Sequence, residues 1–382
     1  MEGPLSGVPG QVVILSSIDW ETAWQRHQIF AAAFAARGRE VFFVENTGFR
    51  NPGWRDAPRL MRRLRNLFSS SRAGETNAVP PGLKVVSPRV LPPTWRAFRL
   101  LNRKLLLPAL SRQLAAAGLR PGADCIVYVA TDTTLELARR LRPASVLYDC
   151  ASNFRAHPSA PADFPALERD LLSLAGGVVC DSEFLYRQKA AEHARVTRIH
   201  QGVPPPFFEL PPPTGSWDSF CYYGTWSRDL DPAFIEALAA AGFRTAVRGF
   251  TKGDAPPLSP AVERAAPVPR GEVAAALAGY EALVLPYRLN PFLMAVVPAK
   301  IYECLATGRP VLATPLPSLK ALEGLVYVGE TPEDWVRIAR DLPKTETATL
   351  RARRVAAARE HSCEAEFSRF EACVAAAREA GR

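Results

Sequence analysis

The sequence contains no pair of cysteines two residues apart, and its seven cysteines (Cys125, Cys150, Cys180, Cys221, Cys304, Cys363 and Cys373) are scattered and odd in number. That excludes a zinc framework and a disulfide scaffold, and a reducing cytoplasm is the simplest setting. No stretch approaches the roughly 18 uninterrupted apolar residues of a membrane span. The opening MEGPLSGVPG has no charged segment followed by an apolar run, so it does not read as a signal peptide. After the first apolar run, VVILS, comes Ser17-Ile18-Asp19-Trp20 with no glycine triplet, which argues against an NAD or FAD enzyme. Gly-Lys-Ser and Gly-Lys-Thr occur nowhere, so there is no P-loop. The histidines, His27, His157, His193, His200 and His361, show no ligand spacing, and no metal site is expected.

What is present is a chain of 382 residues, 48% hydrophobic and 22% charged, long enough for two ordinary domains with substantial cores. The net charge of +9 favours an anionic partner: phosphate esters, nucleic acid or an anionic lipid surface. Nucleic acid is disfavoured, because no aromatic–basic recognition module accompanies the charge.

Short β-branched runs alternate with alanine-rich helical patterns along the whole chain. VVILS, REVFFVE, CIVYVA, SVLYD, GGVVCDS and a strand in ARVTRIHQGV make one set, with helices between them that include Leu135–Leu141 and Phe164–Leu174. SFCYYG, RTAVRG, ALVLPY, PVLAT and LVYVGE make a second set. Unalternated apolar strands joined by helices imply right-handed crossovers and parallel sheets. The proline-dense segment 204–217 reads as a linker. Residues 1–203 and 218–345 then form two Rossmann-like, doubly wound α/β domains, and 346–382 is a helical tail expected to pack across their junction.

Residues 50–120 fit this scheme least. Arg59, Arg62, Arg63, Arg65, Arg96, Arg99, Arg103 and Lys104 interleave there with Leu60, Leu64, Phe68, Trp95, Phe98, Leu101 and Leu105. A basic amphipathic helix suits an anionic membrane face, and an ordinary solvated helix gives the same pattern.

The second half carries the chemistry. In CYYGTWSRDLDPAF, Gly224 follows a strand, where backbone can approach a diphosphate closely; Thr225 can donate a hydroxyl and Arg228 can bind phosphate. Asp231 before Pro232 reads as a helix cap rather than a metal ligand. In VPAKIYECLATGRPVLAT, Lys300 and Glu303 are one turn apart on one helix face. A lysine in the first turn can meet a diphosphate, and a glutamate one turn on can accept from a ribose diol. The same spacing also fits a plain Lys–Glu pair worth a few tenths of a kcal/mol.

The stretch LVLPYRLNPFLMAVVPAKIYECLATGRPVLAT resembles the nucleotide-sugar segment of GT-B glycosyltransferases: Pro286-Tyr287, Asn290, then Pro298, Lys300, Glu303, Gly308, Pro310 and Val311. AWQRHQIFAAAFAARGREVFFVE, VLYDCASNF, GGVVCDSEFL and IHQGVPPPFF are similar to other parts of the same family. The resemblance implies two domains facing a cleft and a metal-independent hexosyltransferase of polysaccharide synthesis. Its co-substrate would be a nucleoside diphosphate sugar, with no other cofactor. It also implies a donor site drawn from Gly224, Thr225, Arg228, Arg248, Tyr287, Asn290, Lys300 and Glu303, and a glycan or lipid-linked acceptor bound by the first domain. Such an enzyme would be cytoplasmic and peripheral at an anionic membrane.

Two departures stand out. Ala295 occupies the place of an earlier glutamate, and Ser152-Asn153 stand where relatives have aspartates. Asp19 and His27 are the remaining candidates for a catalytic base near the end of the first strand. His27 lies inside a helix and reads as structural, which leaves Asp19, in the loop, as the choice, with a helix cap as its plainer reading. The competing readings are a nucleotide-sugar epimerase and a catalytically silent binding subunit.

Overall fold

The computed structural model describes residues 10–22, 24–48, 78–93, 95–157, 159–290, 298 and 300–380. Of the positions discussed above, Ala295 and the basic segment 59–68 lie outside them. The chain divides into two compact units. The first takes in the chain up to Asp181, then Leu185–Ile199 and the chain from Phe367 onward; the second comprises Ser182–Phe184 and His200–Glu366.

The first unit is built on a parallel sheet of seven strands in the order β3-β2-β1-β4-β5-β6-β7. These are β1 Val12–Leu15, β2 Val41–Val44, β3 Leu83–Val86, β4 Asp124–Val127, β5 Ser145–Cys150, β6 Gly177–Cys180 and β7 Val196–Arg198. All residues of β1, β2, β4, β5 and β6 are buried, as expected of strands covered on both faces. The helix Arg26–Ala36 covers one face, and Phe30 and Phe34 meet Phe370 and Phe367 of the last helix, Cys363–Ala380, at ring-centroid distances of 4.3 and 4.8 Å. Asp124 anchors the same region by accepting from Arg39, Arg378 and Ser145. Gly176 has no alternative here: a Cβ on it would lie 2.4 Å from the Ala377 carbonyl oxygen.

The second unit carries a parallel sheet of six strands in the order β10-β9-β8-β11-β12-β13. They are β8 Ser219–Tyr223, β9 Arg244–Arg248, β10 Val262–Ala265, β11 Ala282–Leu285, β12 Val311–Ala313 and β13 Tyr327–Val328. The chain reverses direction across each sheet between its first strand and the fourth to be laid down, at β1/β4 and at β8/β11. Doubly wound sheets open a crevice for ligands at the carboxyl ends of the strands at such a point.

Two strands and one segment depart from the sequence expectations. β3 and β10 were not anticipated, because LKVV and VERA each carry a central charge and lie at a sheet edge, half in water. The proline-dense segment does not run free: Pro205–Phe208 forms a 3-10 turn whose Phe207 is buried in the second unit's core.

One contact in the second sheet is unusually close. Gly249, at φ +135°, lies so near the end of β8 that a Cβ on it would fall 2.3 Å from the Gly224 carbonyl oxygen. Gly249→Ala should therefore cost about 2–4 kcal/mol, since it combines backbone strain with overpacking. Thermal unfolding measures this, and an unchanged melting temperature would show that the two turns can separate freely.

Candidate donor and acceptor sites

In the second unit the carboxyl end of β8 turns at Gly224, at φ +117°, where its amide donates to Arg248 O at 2.8 Å. The space a side chain would take belongs to Lys300, whose Nζ lies 2.3 Å from an ideal Cβ at Gly224. Lys300 Nζ also donates to Tyr222 Oη at 3.2 Å and sits 4.8 Å from the centre of that ring. This ammonium lacks an ion-pair carboxylate at salt-bridge distance among the described contacts and is held by an aromatic face and a phenol. Such a setting leaves its charge available to an incoming anion. Lys300 is the cap residue of the helix Ile301–Ala306 rather than part of its first turn.

Glu303 follows one turn later and is almost fully buried. Its Oε2 accepts from Tyr223 Oη at 2.8 Å. Burial pushes the Glu303 carboxyl above the usual range, while the Tyr223 hydrogen bond, Arg270 and Lys300 oppose that shift. The sequence carries no local signal for Arg270. That residue lies after β10 in no recognisable motif, and only the fold brings its charge to Glu303.

The other expected donor residues have different surroundings. Thr225 accepts Tyr222 Oη at its backbone carbonyl, at 3.1 Å. Tyr287 is half-buried at the end of β11, its backbone bridged to Leu230 and its carbonyl accepting from Thr314 Oγ1 at 2.7 Å. Arg228 points into solvent, 3.6 Å from Asp254. Arg248 donates through Nη1 to Ala266 O at 3.2 Å, and its Nε is enclosed without a partner. Asn290 is half-buried, and residues 291–297 after it lie outside the described ones. Gly224, Tyr222, Tyr223, Lys300, Glu303 and Arg270 are joined by these contacts, and Tyr287 lies near enough to feel the Lys300 charge. The Arg228 and Arg248 side chains make no contact with this group among the described ones. Asp231 caps the helix Pro232–Ala240 by accepting from Ala233 N at 3.1 Å. Among the described residues, no three His, Cys, Asp or Glu side chains are grouped to hold a metal.

The corresponding end of the first sheet holds a buried polar knot. Arg26 Nε donates to Asp149 Oδ2 at 2.9 Å and Nη1 to Ile199 O at 2.9 Å. His27, the next residue, stacks on Tyr128 with ring centroids 3.7 Å apart, and its Nε2 is 2.9 Å from Ser17 Oγ. Asp181 follows β6, and the charges of Arg26 and Asp149 both act on it. Five enclosed atoms in this knot have no hydrogen-bond partner: Arg26 Nη2, His27 Nδ1, Tyr128 Oη, Asp149 Oδ1 and Asp181 Oδ1. Tyr128 Oη is near enough to Asp149 and Arg26 to feel both, yet falls short of hydrogen-bond geometry. Burial and the Arg26 charge lower His27 to about 3, so it is neutral. Asp19 is half-buried in the turn after β1, where its carbonyl accepts from Thr22 N and Oγ1. Asn153 is buried beyond β5.

No protein-family model and no curated protein matches the sequence. Solved structures do match over nearly the whole chain. Sucrose-phosphate synthase from Thermosynechococcus elongatus is 14% identical, with 95% of this chain and 98% of that one covered at a TM-score of 0.64. HepE from Anabaena, in complex with UDP-glucose, is 13% identical over 96% and 99% of the two chains at 0.63. WaaG, a glycosyltransferase involved in lipopolysaccharide biosynthesis, is 12% identical over 96% and 98% at 0.55. The chain has the GT-B fold. Lys300 and Gly224 lie at the β8/β11 reversal, and Ser17, His27 and Tyr128 lie at the β1/β4 reversal, from which Arg26, Asp149 and Asp181 extend along the ends of β5 and β6.

The knot makes a prediction about pH. Asp181 is raised from 3.8 to about 7, by burial first and by Asp149, against the opposing charge of Arg26. A carboxyl raised in the fold binds its proton more tightly there than in the unfolded chain. Its contribution is favourable at low pH and is lost as pH rises from about 4 to about 7. Asp181→Asn should therefore gain stability relative to the unsubstituted chain as pH rises through that window. Denaturant unfolding at pH 5 and pH 8 tests this, and a difference that does not change with pH would refute it.

Proposed function

We propose that this protein is a glycosyltransferase that moves a sugar from a nucleoside diphosphate donor to a hydroxyl group of a glycan or lipid-linked acceptor. The observation that carries the reading is the pair Lys300 and Glu303 at the β8/β11 crevice of a GT-B fold, the ammonium lying over Gly224 and the carboxylate one turn beyond. In this reading Lys300 meets the diphosphate and Glu303 accepts from the ribose hydroxyls. As the bond from the sugar to the diphosphate breaks, negative charge grows on the leaving phosphate, and a fixed ammonium stabilises that charge more in the transition state than in the ground state. Lys300 supplies this in the role a metal takes in other transferases, and the reaction is metal-independent. The solved HepE complexes with UDP and UDP-glucose support this donor class.

The acceptor belongs to the first unit, at the end of β1 and β4, and Asp19 is the candidate base. The exposed apolar residues Trp95, Leu100, Leu101 and Leu105, with Arg96 and Lys104 beside them, suit a peripheral contact with an anionic leaflet and hence a lipid-linked acceptor. Arg99 and Arg103 contribute less, because each is already paired, with Asp163 and Asp132.

Three measurements test these statements. Lys300→Ala and Glu303→Ala should each weaken calorimetric affinity for a nucleoside diphosphate by about 1.5–3 kcal/mol, the value of a hydrogen bond to a charged group. Affinity unchanged in both would remove the donor site from this place. Sugar transfer should survive EDTA; activity restored only by magnesium or manganese would overturn the lysine's role. Flotation with anionic vesicles at low salt should carry the protein, and reversal of Arg96 and Lys104 to glutamate should reduce it, each basic group near the leaflet contributing about 1 kcal/mol. Equal recovery with neutral vesicles, or none with anionic ones, would point to a soluble acceptor.

A further inference from the structure

The rim that carries Lys300 and Glu303 also presents an aromatic side chain that no role above employs. Phe250 follows Gly249 directly and is 60% exposed, among the most exposed large apolar residues of the second unit. Its backbone, by contrast, is fixed. Phe250 O accepts from Trp226 N at 2.7 Å, Lys252 N donates to Trp226 O at 2.9 Å, and Trp226 bridges to Thr251, so the β8–β9 pairing continues past the strands. Gly249 on one side packs on Gly224 and donates to Ala265 O at 3.1 Å. Trp226 itself is wholly buried, with its indole donating to Pro256 O at 2.8 Å. Of the two aromatics joined in this ladder, one is packed inside and the other is held out on a rigid base.

The neighbouring chain defines what can meet that ring. Ala266 accepts from Arg248, and the segment that begins there ends at Arg270, whose charge reaches Glu303. The loops after β9 and β10 thus border the same rim as the ribose-accepting carboxylate. A nucleotide with its diphosphate at Lys300 and its ribose at Glu303 must direct its base away from the diphosphate, among these loops. We propose that the nucleobase of the donor stacks on the ring of Phe250. This inference rests on the donor reading given above and adds to it the residue that senses the base. A flat apolar ring on a fixed backbone loses little freedom when it is covered, and every base offers a π-face, so the contribution should be shared by uracil and guanine.

The test is a calorimetric titration of the full chain with UDP, GDP and inorganic diphosphate, for the unsubstituted protein and for Phe250→Ala, Phe250→Leu and Phe250→Trp. Phe250→Ala should weaken UDP and GDP by about 5- to 150-fold, the range given by 1–3 kcal/mol per stacked base. Diphosphate binding should stay within about two-fold in the same variant, as expected of an anion held by a lysine alone. Phe250→Trp should retain affinity, and its added indole emission should change on nucleotide addition. Phe250→Leu should behave as alanine does. The stacking assignment is overturned if alanine leaves UDP and GDP unchanged, if leucine restores them fully, or if nucleotides and diphosphate weaken together. A wild-type chain that binds neither UDP nor GDP, with its fold intact by circular dichroism, would instead overturn the donor reading and this inference with it.

Discussion

The second unit depends on a side chain that is missing. Gly224 has no Cβ, and the volume this leaves is occupied by the Lys300 ammonium, 2.3 Å from where that carbon would stand. Gly249 in turn has no Cβ because the Gly224 carbonyl lies in its place. Two backbone turns and one long cation are thereby brought within van der Waals reach at the ends of β8 and β9. A residue of any size at either position would separate the strand ends or expel the lysine. From the sequence alone, a glycine after β8 suggests room for an approaching diphosphate. The structure gives that openness first to the lysine, and a diphosphate would then meet a positioned charge rather than bare backbone.

The two units handle buried charge differently, and the contrast follows from their partners. Around Glu303 the partners are neutral or cationic: a tyrosine hydroxyl that donates, a lysine and an arginine. Each partner favours the ionised carboxylate, so the cost of burial is partly offset. Around Asp149 and Asp181 a single guanidinium serves two carboxyls, and one of its nitrogens is itself unpartnered. Two carboxylates whose oxygens are partly enclosed, with one cation between them, leave one charge uncompensated, and a proton settles the difference. The first arrangement suits a group that must hold a fixed charge, and the second suits one whose charge follows the solution.

Much of the architecture was legible in the sequence, because buried parallel strands have a signature that needs no tertiary information. VVIL, VFFV and ALVL are apolar at every position. Edge strands lack that signature. Lys84 lies in the middle of β3 and Glu263 and Arg264 in the middle of β10, so local composition argued against both strands. The Lys300–Glu303 pair was legible because its residues are three apart in the chain, one capping a short helix and the other in its first turn. The knot was not, since Arg26, Asp149 and Asp181 come from three distant segments that only the strand order β1-β4-β5-β6 brings together. Arg270 escaped for the same reason. Proline density was a misleading guide at 204–217, where the residues between the prolines include a core phenylalanine.

The last helix has a consequence for how the chain is made. The first unit includes the chain from Phe367 onward, where Phe367 and Phe370 pack on Phe34 and Phe30. Roughly 170 residues separate Ile199 from Phe367. At ribosomal rates of about 5–20 residues per second, they take on the order of ten to thirty seconds to emerge. Through that interval Phe30 and Phe34 lack their two aromatic partners from the last helix, while the second sheet is completed ahead of it. The unit that begins translation first is therefore the one that finishes folding last, and the interval is a window in which a chaperone would have something to hold.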